Sequence, residues 1–216
     1  MPGKLLHFAA GGGAVSERTN EDLVAACGRG DRGALGLLFE RLSPGVYRFL
    51  SRLCGADTPE LDDLVQMTFL EVWRSAAAFR GASSAQTWVY AVAANVGRHF
   101  RRGEGRRRQM AVRFSQKPVA EPNSPERNTA QREQIARLDA AVATLPAELR
   151  IPFLMVYVEE LPGAEVAKAL GIPDGTLWRR LYEARQRLWQ KLQEEPHESR
   201  ELSVASRAIS RLFGKR

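Results

Sequence analysis

The stretch Gly163–Leu188, "GAEVAKALGIPDGTLWRRLYEARQRL", contains two short helical patterns meeting at Gly171-Ile172-Pro173. In the first, Val166, Ala167 and Leu170 recur at helical spacing. In the second, Leu177, Leu181, Ala184 and Leu188 form one apolar stripe. A glycine between them can take the left-handed conformation that ends a helix. Asp174 offers an N-cap side chain for the next. Two helices joined at a steep angle by three or four residues make a helix-turn-helix. Opposite the second stripe lie Thr176, Trp178, Arg179, Arg180, Glu183 and Arg187. A DNA major groove admits one helix, and arginine reads guanine at two points or holds phosphate. A solvated basic face on an ordinary helical hairpin is the plainer alternative for these charges.

Composition agrees with a polyanionic partner. The 216-residue chain carries a net charge of +7 with a pI near 9.9, and is 44% hydrophobic and 26% charged. Such a balance suits a packed protein that meets nucleic acid. Its length allows one or two small domains. Two cysteines, Cys27 and Cys54, without a CxxC spacing, argue against a disulfide framework or a zinc site and fit a reducing cytoplasm. No run of about 18 apolar residues offers a membrane span. "MPGKLLHFAAGGGAVSER" is too short and interrupted in its apolar part for a signal peptide, so residues 1–19 read as a flexible arm.

Further upstream, helical periodicity dominates and strand-like alternation is scarce. Leu35, Leu38, Phe39 and Leu42 lead into Val46, Phe49, Leu50 and Leu53, with Asp31 as N-cap, Pro44 as a kink or break, and Gly55 as a stop. A helix from about Pro59 to Ala78 places Leu61, Leu64, Val65, Thr68, Phe69, Val72 and Trp73 on one stripe. Ser84 caps another, from Ala85 to about Arg102. Its interleaved Trp88, Tyr90, Asn95, Arg98 and Arg101, following Arg80, Ser83 and Ser84, suit single-stranded DNA: aromatics stack on exposed bases and arginines follow phosphates. Trp88 and Tyr90 can equally be core residues.

Residues 104–128 hold Gly, Pro, Ser and Asn with weak periodicity, a linker composition. A second helical block follows over 129–195, punctuated by Pro146, Pro162 and Pro173 into four pieces, and residues 196–216 read as a tail with amphipathic helical spacing. The fold expected is all-α: two small helical domains, 20–103 and 129–195, on a flexible linker, the second containing the helix-turn-helix.

Two of these stretches resemble a known family. Leu61–Arg102, "LDDLVQMTFLEVWRSAAAFRGASSAQTWVYAVAANVGRHFRR", is similar to the second region of bacterial sigma factors, and Leu145–Leu188 resembles their fourth. Their order, the short linker and the absence of a third-region domain resemble the extracytoplasmic-function subfamily. The resemblance implies partners: core RNA polymerase, through its β′ clamp helices and β subunit; promoter DNA; and an anti-sigma protein. It implies that Asp63, Gln66, Thr68 and Phe69 dock on the clamp helices. The loop Phe79–Ala85 and the helix to Arg102 would open the minus-ten element and capture a flipped base. Thr176 to Arg187 would read the minus-thirty-five element as duplex. The chain departs from the family pattern at Met67, where glutamate is common, and at Trp178 and Arg179, where lysine and serine are.

No catalytic triad, carboxylate pair or metal cluster stands out, so neither catalysis nor a cofactor is expected. Two other readings remain at this stage. A self-sufficient regulator would need a ligand pocket or dimer face in its first half. A nucleic-acid-processing enzyme would need clustered carboxylates for metal, or a nucleophile.

Overall fold

The structure, a computed structural model, describes residues 18–112 and 138–194. All elements among the described residues are helical. The arm up to 17, residues 113–137 and the tail from 195 lie outside the described residues, so the expectations for the arm, most of the linker and the tail are not addressed by it.

The first half is a four-helix unit. α1 (Asn20–Gly28) opens on a capping box, in which Thr19 and Asp22 satisfy each other's backbone donors. α2 (Arg32–Cys54) starts at Asp31, whose carboxylate accepts from the Ala34 N–H at 3.1 Å. Pro44 lies inside α2 without ending it, and Gly55, at φ +117°, stops it. α3 (Leu61–Ser75) runs into a 3₁₀ turn, Ala76–Ala78. α4 spans Ala85–Val112. It therefore continues ten residues past the expected end, through the arginine-rich stretch assigned to the linker. Arginine and glutamine are good helix formers, and this preference outweighs Gly103 and Gly105.

Leu38, Val46, Phe49, Leu50, Leu53, Leu64, Phe69, Val72, Val89 and Ala93 are buried together between these helices. α2 and α4 cross closely at Gly97, where a Cβ would stand 2.8 Å from Leu53 Cδ2.

The second half has four pieces, divided where the prolines predict. A helix over 138–144 (α5) is followed by α6 (Ala147–Phe153), which continues as a π turn, Leu154–Val158. α7 (Gly163–Leu170) and α8 (Asp174–Glu194) complete it. Leu145, Leu154, Met155, Val166, Leu177 and Leu181 are large side chains of its core, each at most 2% exposed.

Between α7 and α8, Gly171 adopts φ +65°, ψ +35°, and the Ile172 N–H returns to the Ala167 carbonyl at 3.0 Å. Asp174 is the first residue of α8 rather than its cap. The Pro173 carbonyl takes the Thr176 and Leu177 N–H groups, and Asp174 is left facing the positive end of the helix dipole.

Candidate nucleic-acid interface

The expected stripe of α8 is buried as spaced: Leu177, Leu181, Ala184 and Leu188 are at most 5% exposed. Thr176 and Arg180 are half-buried, while Trp178, Arg179 and Arg187 face solvent. Trp178 is 54% exposed, yet its ring edge leans over Gly163, where a Cβ would come within 3.0 Å of it. Glycine at the start of α7 thus gives the indole its seat. Arg187 is paired with Glu183 one turn back at 2.8 Å. Tyr182, 62% exposed, stands one turn after Trp178 on the same face. Sequence reasoning passed over it, although its i+4 spacing from Trp178 was the signal.

On α3, the residues expected to meet polymerase divide. Asp63 and Gln66 are exposed. Thr68 is fully buried, its hydroxyl donating to the Leu64 carbonyl at 2.8 Å, and Phe69 meets Phe39 edge-on at 4.8 Å. Both belong to the apolar stripe, so the outward face is built instead from Asp63, Gln66, Met67 and Leu70, the last two more than half exposed. An amphipathic helix cannot offer its inner stripe to a partner and keep its core.

The expected single-strand reader also splits. Gly81, at φ +68°, turns the loop, and Arg80 is exposed on it. Trp88 is half-buried and leans on Phe79 with ring centroids 5.0 Å apart. It lines a groove of about 970 Å³ between α3 and α4, together with Met67, Val92, Asn95 and His99. Arg98 and Arg101 lie on the other side of α4. There they share a cleft of about 460 Å³ with Arg102 and with Arg180 of α8. Tyr90 is buried against Phe49, and its hydroxyl donates to Glu159 at 2.8 Å. Burial first, and the Glu159 carboxylate second, push its phenol well above the ordinary tyrosine range.

Ser83 and Ser84 are half-buried at the entry to α4. The Ser84 N–H and hydroxyl donate to Glu165 of α7 at 2.9 and 2.6 Å, and the Thr87 hydroxyl donates to the same oxygen at 3.0 Å. The Ala85 N–H donates to Glu21 at 2.8 Å. Two carboxylates from distant helices thus complete the α4 N-terminus, where the helix dipole favours negative charge. Glu165 is held below the usual carboxylate range, chiefly by the Ser84 hydroxyl and then by the Ser84 N–H. Among the described residues, no group of three or more His, Cys, Asp or Glu side chains is placed to hold a metal ion, and no helix is long and apolar enough to cross a membrane.

Comparison with known proteins falls on the same two halves. The family described as sigma-70 region 2 matches residues 38–107, and that described as sigma-70, region 4 matches residues 135–188, together more than half of the chain. The ECF RNA polymerase sigma-E factor of Haemophilus influenzae is 26% identical over 187 residues, covering 83% of this chain and 98% of that protein. The protein of the same name from Escherichia coli K12 is 28% identical over 183 residues, covering 81% and 95%. Among solved structures, CnrH in complex with the cytosolic domain of CnrY aligns with a TM-score of 0.58 at 20% identity, covering 82% of this chain and 99% of that one. The sigma factor RpoE in complex with the anti-sigma factor NepR, from Bartonella quintana, aligns at 0.55 and 22%, covering 73% and 96%. The two structures share the fold of this chain.

Proposed function

The chain belongs to the sigma-70 family, and we propose that it is an extracytoplasmic-function sigma factor that brings core RNA polymerase to promoters without chemistry of its own. One observation carries the division of labour. An α8 with an exposed Trp178–Arg179 face follows a left-handed Gly171, while a separate aromatic groove lies beside Trp88 in the other half. The first suits duplex in a major groove, and the second suits an unstacked base.

In this reading Asp63 and Gln66, with Met67 and Leu70, meet the β′ clamp helices, and the second half meets the β subunit. Trp88 and Asn95 take the melted minus-ten strand, with Arg80 and Ser83 from the preceding loop, and Arg98 and Arg101 hold its phosphates. Thr176, Trp178, Arg179 and Arg180 read the minus-thirty-five element. Polymerase sets the distance between two modest readers, which raises the effective concentration of each for the other's site. The chain works in the cytoplasm, restrained by an anti-sigma protein. Run-off transcription with purified core polymerase over a genomic promoter library tests this: discrete chain-dependent transcripts are expected, and a library without any defeats the reading.

A further inference from the structure

Arg98, Arg101 and Arg102 stand at i, i+3 and i+4 on α4, neighbours on one helix face about 5–6 Å apart between Cβ atoms. Arg180 of α8 lines the same cleft of about 460 Å³, and the one carboxylate among the lining residues is Glu148 of α6. Four guanidiniums against one carboxylate leave three positive charges uncompensated. None of the four arginines forms an ion pair among the described residues. Arg98 donates to its neighbour Asn95, and its enclosed Nε–H has no acceptor among the described residues. Arg101 makes a long bond to the Leu53 carbonyl, at 3.4 Å. Burial first, and Arg101 second, lower the pKa of Arg150, so positive charge is crowded behind the cleft as well. Like charges held this close repel one another, and a bound anion removes that cost.

Another part of the lining is apolar: Ile151 and Pro152 of α6, with Leu170 and Ile172 around the turn before α8. An arginine fork holds phosphate at two points, and an apolar wall accepts the face of a ring. The volume lies within the range of small-molecule sites, about 300–1,000 Å³.

We propose that this cleft binds a nucleoside polyphosphate, with its linked phosphoryl groups on the four arginines and its base against the wall of Ile151, Pro152, Leu170 and Ile172. The binding stands on the cleft alone. Its consequence rests on the sigma-factor reading, in which Arg98, Arg101 and Arg180 hold or read promoter DNA, so that nucleotide and promoter compete for them.

The test is isothermal titration calorimetry on the full-length free chain, with ATP and separately with inorganic tripolyphosphate. ATP is expected to saturate one site per chain and to bind about fivefold or more tighter than tripolyphosphate, since only ATP brings a ring to the wall. Arg102 and Glu148 are exposed and belong to neither DNA-reading set. Arg102→Ala is expected to weaken ATP binding about fivefold or more. Glu148→Gln removes the repelling carboxylate and is expected to tighten it about threefold. Arg32→Ala removes the same charge at the start of α2, about 30 Å along that helix from Leu53, and should leave the affinity unchanged. Thermal melting without ligand checks that each variant is folded. Absence of saturable binding overturns the site. Equal affinity for ATP and tripolyphosphate also overturns it, as does an equal loss from Arg102→Ala and Arg32→Ala, which is diffuse attraction to a basic chain. If ATP binds as described yet the chain directs no transcription, the sigma reading falls and the site stands; transcription without ATP binding gives the reverse.

Discussion

Arg150 shows what a single residue does here that no periodicity announces. It is 3% exposed, forms no ion pair with a carboxylate among the described residues, and donates to the carbonyls of Leu53, Leu145 and Ala143. Burial, and then the neighbouring Arg101, pull its pKa down to about 10, yet it stays charged at neutral pH. A planar guanidinium can serve three carbonyls at once; an ammonium on a flexible stem cannot hold that geometry. Arg150→Ala removes the guanidinium from the Leu145 and Ala143 carbonyls and leaves Leu53 with only the longer Arg101 bond at 3.4 Å, and is expected to lower stability by about 2–4 kcal/mol in urea titration. Arg150→Lys should recover less than half of that. A rescue by lysine would mean that charge alone, without the fork, holds the site.

Among the elements, α8 is where the proposed function separates reading from support. Arg179 is exposed on the first turns, where a recognition helix meets bases; Arg187 lies two turns further along and is paired with Glu183. An exposed i,i+4 pair is worth only about 0.3–0.5 kcal/mol, so phosphate can displace it. Arg179→Ala should therefore weaken minus-thirty-five duplex binding by about 1–3 kcal/mol and relax base preference. Arg187→Ala should cost less and leave preference intact; anisotropy titrations on duplexes with one changed base pair measure both.

α7 carries a pH prediction of its own. Glu165 has a lowered folded-state pKa, so its contribution to the contact with Ser84 and Thr87 is complete above the ordinary value of 4.5 and is lost only as pH falls through the lowered one. Protection of the Ser84 amide in hydrogen exchange, corrected for the intrinsic rate, should accordingly hold steady from pH 7 to about pH 5.

Most of the elements, and the left-handed Gly171 of the helix-turn-helix, were legible in the sequence; the cap of α8 was not, because Asp174 is already its first residue. Pro146, Pro162 and Pro173 stand just before α6, α7 and α8, where a missing N–H costs nothing, whereas Pro44 and Pro152 are carried inside α2 and α6. The α8 stripe is buried because its spacing is local information. What could not be read was which of two plausible faces a residue serves once a partner 69 to 97 positions away arrives. Tyr90 suited base stacking by composition, but Glu159 and Phe49 enclose it. Thr68 and Phe69 lay on the inner stripe and were also assigned to the surface by resemblance; burial settles them inside.

At the scale of the whole molecule, the proposed function gives polymerase the task of setting the distance between two modest readers, and that task can be measured by binding alone. Consider a duplex carrying both elements, with the minus-ten stretch opened as a bubble. Where both readers are held at the right separation, the second contact is intramolecular, worth up to about 10²-fold in affinity. The free chain should bind this DNA no more than about threefold tighter than a fragment carrying the minus-thirty-five element alone. Addition of core polymerase should raise that ratio at least tenfold, at a fixed salt concentration because both affinities depend on salt. A free chain already showing the full ratio would mean that the two halves find their spacing unaided, and that polymerase does not set it.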